Sequence, residues 1–259
     1  MDGGSKSART TATETLVSFL RPARRILVLT GAGISTASGI PDFRGPQGIW
    51  KKRQPVLFDD FLASEEKRTE YWDYKSEGYE LYQHAQPTQT HRALAELERS
   101  GRLLLLVTQN IDGLHFAAGS SEDKLVEIHG TARWVECLSC DRRQHPEAPV
   151  LQFRRTGKAP RCECGGLLKF ATISFGQAIP PAAIARAASA SRSADLVLAL
   201  GSTLSVYPAA AIPLEAAEGG APYLIVNRGP TDHDGYATLK IDEDVEAIVP
   251  SAIRQLVSG

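Results

Sequence analysis

Gly31-Ala32-Gly33 follows directly on the apolar run Ile26-Leu27-Val28-Leu29-Thr30. A buried parallel strand that runs into a Gly-x-Gly turn carries backbone N–H groups up to a pyrophosphate. The hydride-transfer form of this fingerprint needs a third glycine three places after Gly33, where Thr36 stands. It also needs an acidic residue closing a second strand about 20 residues on. That region here is Trp50-Lys51-Lys52-Arg53-Gln54-Pro55, which is no strand. The residues therefore point to a dinucleotide site that is not built for redox carriage.

The second chemical set is Cys137-x-x-Cys140 with Cys162-x-Cys164, which takes in every cysteine of the chain. In a reducing compartment such paired cysteines read as a metal site before they read as disulfides. Four thiolates with no fifth ligand make a closed tetrahedral zinc site, structural rather than catalytic. Cys164-Gly165-Gly166 supplies a tight turn beside the sulfurs, and the second pair is one residue shorter than the usual Cys-x-x-Cys.

Further polar residues stand at the ends of predicted strands. Gln109, Asn110 and Asp112 follow Leu103 to Thr108, and His129 follows Leu125 to Ile128. Gly201-Ser202-Thr203 follows Leu196 to Leu200, and Asn227 follows Tyr223 to Val226. Open α/β sheets bind ligands at the carboxyl ends of their strands, so one edge collects these groups. Asn110 and Asp112 also suit an Asx turn that closes the strand, and both roles can hold together.

The run Gly31 to Arg44 resembles the first signature of the sirtuins, the NAD-consuming protein-lysine deacylases. Thr108-Gln109-Asn110-Ile111-Asp112-Gly113-Leu114-His115, Glu127-Ile128-His129-Gly130 and Gly201-Ser202-Thr203-Leu204-Ser205-Val206 resemble three more, in order, with the cysteine set between the last two. The resemblance spans Arg24 to Leu256. It implies NAD as co-substrate, structural zinc, and acyl-lysine proteins as substrates. It implies His129 as general base, since a neutral imidazole takes up a proton near neutral pH, with Asn110 beside it at the nicotinamide ribose. It gives Gly31, Ala32, Gly33 and Ser35 to the phosphate loop, and Asp42, Phe43 and Arg44 to the reacting end. Phe43 would cover the ribose, and Arg44 would offer charge to phosphate or ribose oxygens.

By the same resemblance Gln109 contacts the ribose, Asp112 the nicotinamide carboxamide, and Ile111 belongs to the same cofactor-binding segment. Gly201, Ser202 and Thr203 bind phosphate or ribose, in an order that exchanges the family's two hydroxyl residues. Asn227 binds the adenosine ribose and Val245 flanks the adenine. Phe175-Gly176-Gln177 and Leu204-Ser205-Val206 form the two edges of a groove for an extended substrate peptide. His91 and His115 read as structural. Gly33 to Pro46, Pro87 to His91 and Asn227 to Asp234 resemble the nuclear, chromatin-directed branch, whereas Ser174 to Gln177 follows the general pattern. The chain is identified as a compact bacterial member with mixed features.

The elements that must position these residues are legible as short apolar runs alternating with helical patterns. Ile26 to Thr30, Leu103 to Thr108, Leu125 to Ile128, Leu196 to Leu200 and Tyr223 to Val226 read as strands, with an edge strand at Thr238 to Ile241. Thr90 to Glu98, Pro180 to Ser191 and Asp244 to Val257 read as helices, the last bent or interrupted by Pro250. This alternation predicts an α/β fold, a doubly wound, Rossmann-like parallel sheet. A helical insertion at 45–86 and a zinc-binding insertion at 131–169 break it; by the resemblance they form a smaller lobe, with the cleft between. Residues 1–15 read as a disordered tail and 16–259 as one catalytic domain.

A chain of 259 residues with 42% apolar and 23% charged residues suits one large globular unit. A net charge of −1 leaves no electrostatic footprint for nucleic acid or an anionic membrane, which argues against a zinc-ribbon nucleic-acid binder. The first residues have no apolar stretch of a secretory signal, so a cytoplasmic location is expected. The sequence is silent on oligomeric state. A protein ADP-ribosyltransferase is the alternative activity, from the same cleavage of the nicotinamide bond.

The acyl group is read from the helical insertion. The sirtuin branch that removes succinyl and malonyl groups carries a Tyr-x-x-Arg pair there. The corresponding segment, Tyr71-Trp72-Asp73-Tyr74-Lys75-Ser76, has none, and Asp73 would repel an acidic acyl group if it faced the channel. Lys75 is the one residue that would reverse this. The expectation is neutral acyl groups in a pocket walled by Phe43, Ile111, Ile173 and Phe175.

Overall fold

The computed structural model describes residues 3–42, 48 and 53–258, with side chains from residue 7 onward. In chain order the elements are α1 (Gly3–Leu20), β1 (Ile26–Thr30), α2 (Phe58–Ala63), α3 (Glu65–His84), α4 (Gln89–Arg99) and β2 (Leu103–Thr108). Then come α5 (Leu114–Ala117), β3 (Leu125–Glu127), β4 (Gly130–Cys137), β5 (Arg143–Gln144), α6 (Glu147–Thr156) and β6 (Leu168–Thr172). The chain ends with α7 (Pro181–Ser193), β7 (Leu196–Leu200), α8 (Ala211–Glu218), β8 (Tyr223–Val226), β9 (Leu239–Ile241) and α9 (Val245–Val257).

Six strands form one parallel sheet in the order β3-β2-β1-β7-β8-β9. This is the doubly wound arrangement expected from the alternation. The order reverses between β1 and β7, and such a reversal opens a crevice at the strand ends. Successive residues of a strand face opposite sides, so Ile26 and Val28 enter one core while Leu27 and Leu29 enter the other. α1, α4 and α9 cover the first face through Leu16, Leu94 and Ile253. α7 and α8 cover the second through Ala187 and Ile212.

Two expectations about helices need correction. Residues 3–15, expected within a disordered tail, belong to α1. That helix is anchored by Leu16, Val17 and Leu20, which are buried at one face against the sheet and α9. Arg9 adds an ion pair to Glu243. Pro250 neither ends nor interrupts α9. It withholds one amide from the ladder, at Glu246 near the first turn, and its ring is buried in the helix's packed face.

The small lobe is an antiparallel sheet, β5-β4-β6, with α2, α3 and α6. Its core draws Phe61, Tyr71 and Trp72 from one insertion and Val135, Val150, Phe153 and Leu168 from the other, with Phe170 just beyond it. Trp72 is fully buried, lies 5.4 Å from the Phe170 ring, and donates its indole N–H to the Leu168 carbonyl at 3.1 Å. Both insertions thus share one core.

One residue of this lobe is out of keeping with its place. Lys169 is 1% exposed, and its ammonium donates to the carbonyls of Thr172 and Phe170. Burial, with the nearby Lys75 charge second, pushes Lys169 down to about 7 from 10.5. The folded protein thus releases a proton that the unfolded chain keeps until its ordinary value. Between these values the unfolded state holds more protons, and stability rises with pH. Lys169→Met should flatten that rise, read as the urea midpoint from about pH 7 to about pH 9. An identical slope in the variant would place the proton release elsewhere.

Candidate active site

The cleft lies where β1 gives way to β7. Gly31 donates its N–H to the Leu200 carbonyl at 2.9 Å, and Gly33 donates to Gly201 at 2.8 Å. A Cβ on Gly31 would stand 2.7 Å from the Gly201 oxygen, and one on Gly33 2.7 Å from the Gly201 Cα. Gly201 itself has φ +60°. Two loops thus close against each other through bare backbone, a contact only glycine permits. A pyrophosphate fits such a side-chain-free cradle.

The next ring of groups comes from the end of β2. Gln109 donates its amide to Ser202 Oγ at 2.8 Å, tying the two strand ends together. Asn110, 5% exposed, donates from Nδ2 to the Gly31 carbonyl and to Ser35 Oγ, both at 3.1 Å. Ser35 Oγ in turn donates to Asp112 at 2.7 Å, and the other Asp112 oxygen accepts the Leu114 N–H at 2.9 Å. Burial raises the Asp112 carboxyl, with these hydrogen bonds opposing it. Asp112 therefore serves as the Asx turn and as a brace for the first loop.

Beneath this ring Thr30 Oγ1 meets Thr108 Oγ1 at 2.8 Å and His115 Nε2 at 3.0 Å. The His115 and His91 rings lie 4.7 Å apart, and His91 closes the capping box of α4 with Thr88. Burial drives both imidazoles down, His91 to about 4, so they stay neutral in the scaffold.

His129, half-buried, lines the cleft. Its Nδ1 lies 3.1 Å from the Gln109 carbonyl. A carbonyl only accepts, so Nδ1 carries a proton, and in the neutral imidazole the lone pair is then on Nε2. The His129 carbonyl accepts the Ile173 N–H at 2.8 Å. Gly130 has φ +70°, and a Cβ there would stand 2.1 Å from the Ala171 oxygen. β4 and β6 therefore grip the histidine from behind.

The cleft has a volume of about 520 Å³, within the range of small-molecule sites. The structure brings Gly31, Ala32, Gly33, Asp42, Gln109, Asn110, Ile111, His129, Gly201, Ser202, Thr203, Asn227 and Val245 to its walls. Ile173, Phe175, Gly176 and Val206 line it as well. Ser35, Asp112 and Ser205 stand one layer behind, with Ser205 bonded to Thr203 at 2.9 Å. Phe43 and Arg44 lie outside the described residues. Residues 174–177 form a turn in which Gln177 donates to Ser174, while the Phe175 carbonyl accepts the Phe58 N–H. Arg228 and Asp244, which the sequence reading did not assign, pair at the mouth beside Asn227. Their signal was the residue after a strand-end asparagine and the N-cap of α9, whose Glu246 N–H Asp244 accepts.

The four cysteine sulfurs lie within 4.8 Å of one another. Cys137 and Cys164 are 3.5 Å apart, and Cys140 and Cys162 3.8 Å. A tetrahedron with about 2.3 Å metal–sulfur bonds sets sulfurs about 3.8 Å apart, so the set fits zinc and is too open for disulfides. The shortened Cys-x-Cys pair still converges. None of the four lines the cleft.

The model of the Sir2 family matches residues 31–208. A "NAD-dependent protein deacetylase" of Rhodopseudomonas palustris is 42% identical over 90% of this chain and 92% of its own length. One of Sulfolobus acidocaldarius is also 42% identical, over 90% of each chain. Among solved structures, "Sir2-p53 peptide-NAD+" superposes with a TM-score of 0.85 at 35% identity, covering 94% of this chain and 98% of that one. Another, "Structure of Sir2Tm bound to a propionylated peptide", gives 0.81 at 36% identity over 93% and 96%.

Because metal binding to such a thiolate set is coupled to folding, the chain should carry one zinc. Chelation should lower the thermal midpoint and, with it, activity. Metal analysis and melting with and without chelator check this; a folded, active protein without metal would refute it.

Proposed function

The chain belongs to the Sir2 family and is an NAD-dependent protein deacetylase; we propose that His129 is its general base and that the strand-end groups position the cofactor. The observation that carries the assignment is the His129 Nδ1 contact with the Gln109 carbonyl. It fixes the tautomer that leaves Nε2 as a proton acceptor, on a side chain lining the cleft.

NAD, when bound, supplies a glycosidic bond to nicotinamide whose cleavage exposes a carbon to the acyl oxygen. The remaining work falls to the chain. The Gly31–Gly33 loop and Gly201 hold the phosphates against bare backbone. Asn110, Ser35 and Asp112 form a fixed row behind the ribose, and Gln109 reaches it from the same strand end. His129 Nε2 takes the proton of a ribose hydroxyl. Asn227 and Val245 hold the adenosine end, where the Arg228–Asp244 pair flanks the mouth. Ile111, Ile173 and Phe175 give the acyl-lysine an apolar wall that excludes water, and Val206 faces the peptide. Phe43 and Arg44 keep the roles at the reacting end that the family resemblance gives them.

His129→Ala should lower deacetylation by ~10²–10⁴ while leaving the NAD Kd within a few-fold. Peptide turnover followed by mass spectrometry and calorimetric titration with NAD check this. The same spectra separate acetyl-ADP-ribose plus free lysine from a peptide that gains ADP-ribose. Near-normal turnover in the variant would remove His129 from the role.

A further inference from the structure

The adenosine end of the cleft carries a carboxylate and a guanidinium that the deacetylation chemistry does not use. β8 and β9 are parallel neighbours, and their carboxyl ends are tied together. The Asn227 N–H donates to the Ile241 carbonyl at 3.2 Å, and the Gly229 N–H donates to Asp242 at 2.7 Å. Asp244 stands just past the end of β9 and caps α9, its Oδ1 accepting the Glu246 N–H at 2.9 Å. Its Oδ2 accepts from the Arg228 guanidinium. Asn227, Arg228, Asp244 and Val245 all line the cleft. A carboxylate has about four acceptor positions, so Asp244 has capacity for a further donor.

Redox dinucleotide folds set one of two groups at a strand end beside the adenosine. A carboxylate accepts the 2′-hydroxyl of NAD, or an arginine receives the 2′-phosphate of NADP. The place that fingerprint reserves for the acid, Trp50 to Pro55, holds none. The ends of β8 and β9 supply both groups instead, and the acid masks the arginine. Their surroundings favour the acid. A hollow that shares Arg228 and Asp244 with the cleft is also lined by Arg9, Glu243 and Glu246. Arg9 pairs with Glu243 at 3.4 Å, and Glu246 accepts the Gln89 and Thr90 N–H groups. Three carboxylates thus face two guanidinium groups, and both cations are already paired. A 2′-phosphate, with a charge of about −1.5 to −2, would enter a field of its own sign.

We propose that Asp244 selects NAD over NADP, accepting the adenosine 2′-hydroxyl and withholding Arg228 from a 2′-phosphate. The proposal rests on the reading that puts the adenosine at Asn227 and Val245. Arg228 is exposed, and an exposed ion pair adds little to stability. Loss of the Asp244 charge therefore leaves Arg228 free to turn to another anion without unsettling the fold. Asn caps a helix about as well as Asp, so Asp244→Asn removes the charge and keeps α9 capped.

Calorimetric titration with NAD and with NADP gives the test. The wild type should bind NAD about a hundredfold more tightly than NADP. Asp244→Asn should lower that preference by about tenfold or more, through weaker NAD and tighter NADP. Adding Arg228→Gln to Asp244→Asn should remove the gain in NADP affinity. A preference unmoved by Asp244→Asn, or a gain for NADP that survives the loss of Arg228, would overturn the proposal. Asn227→Ala tests the placement on which it rests. If that variant binds NAD as tightly as the wild type, the adenosine lies elsewhere and the proposal falls with the placement. If it binds NAD more weakly while Asp244→Asn leaves the preference unmoved, the placement stands and Asp244 loses the role.

Discussion

The meeting of Gly31 and Gly33 with Gly201 is the constraint on which the rest of the site depends. β1 and β7 are neighbours in the sheet, and their chains leave its carboxyl edge side by side. A side chain at any of these glycines would force the two loops apart by the width of a methyl group. The loops would then no longer offer one continuous backbone surface, and Gln109 would lose its reach to Ser202. The hydrogen bonds from Gly31 to Leu200 and from Gly33 to Gly201 extend the sheet's own pairing into the loops, so the cradle inherits the rigidity of the core.

Several polar side chains around that cradle bond one another without a ligand. Asn110, Ser35 and Asp112 bond one another and the Gly31 carbonyl, and Thr30, Thr108 and His115 form a second row below. Buried polar atoms are tolerable when they satisfy each other, and a satisfied network has few alternative geometries. Here the network fixes the orientation of the β2 end, and the Gln109 carbonyl of that end fixes the tautomer of His129. The histidine is thus oriented by the same strand end that carries Asn110 and Asp112.

The small lobe contributes in a different way. Its core is made by two insertions far apart in sequence, closed around Trp72 and held at the corner by the cysteine cluster. Its inner face delivers side chains to the opposite wall of the cleft. There Lys75 sits over three aromatic rings, and Lys169 donates to the Thr172 and Phe170 carbonyls.

By itself the sequence determined the sheet, the cradle and the metal set. Strands buried on both faces are continuous apolar runs, Gly-x-Gly has few other uses after such a run, and cysteine pairs at ligand spacing have few alternatives. These are local signals, readable within a few residues. The sequence left α1 as a tail because the residues before Leu16 are polar and show no apolar stripe; that helix is fixed by docking against α9. Pro250 signalled a break that packing of its own helix face overrode. Which strand-end residues face the ligand and which brace the wall, as Ser35 and Asp112 do, was also beyond sequence, because their neighbours come from other strands. The acyl pocket shows the limit most sharply. Asp73 and Lys75 are two residues apart on one helix, and only the rotation of α3 against β6 decides that the acid turns out to Arg53 while the ammonium turns in to the cleft.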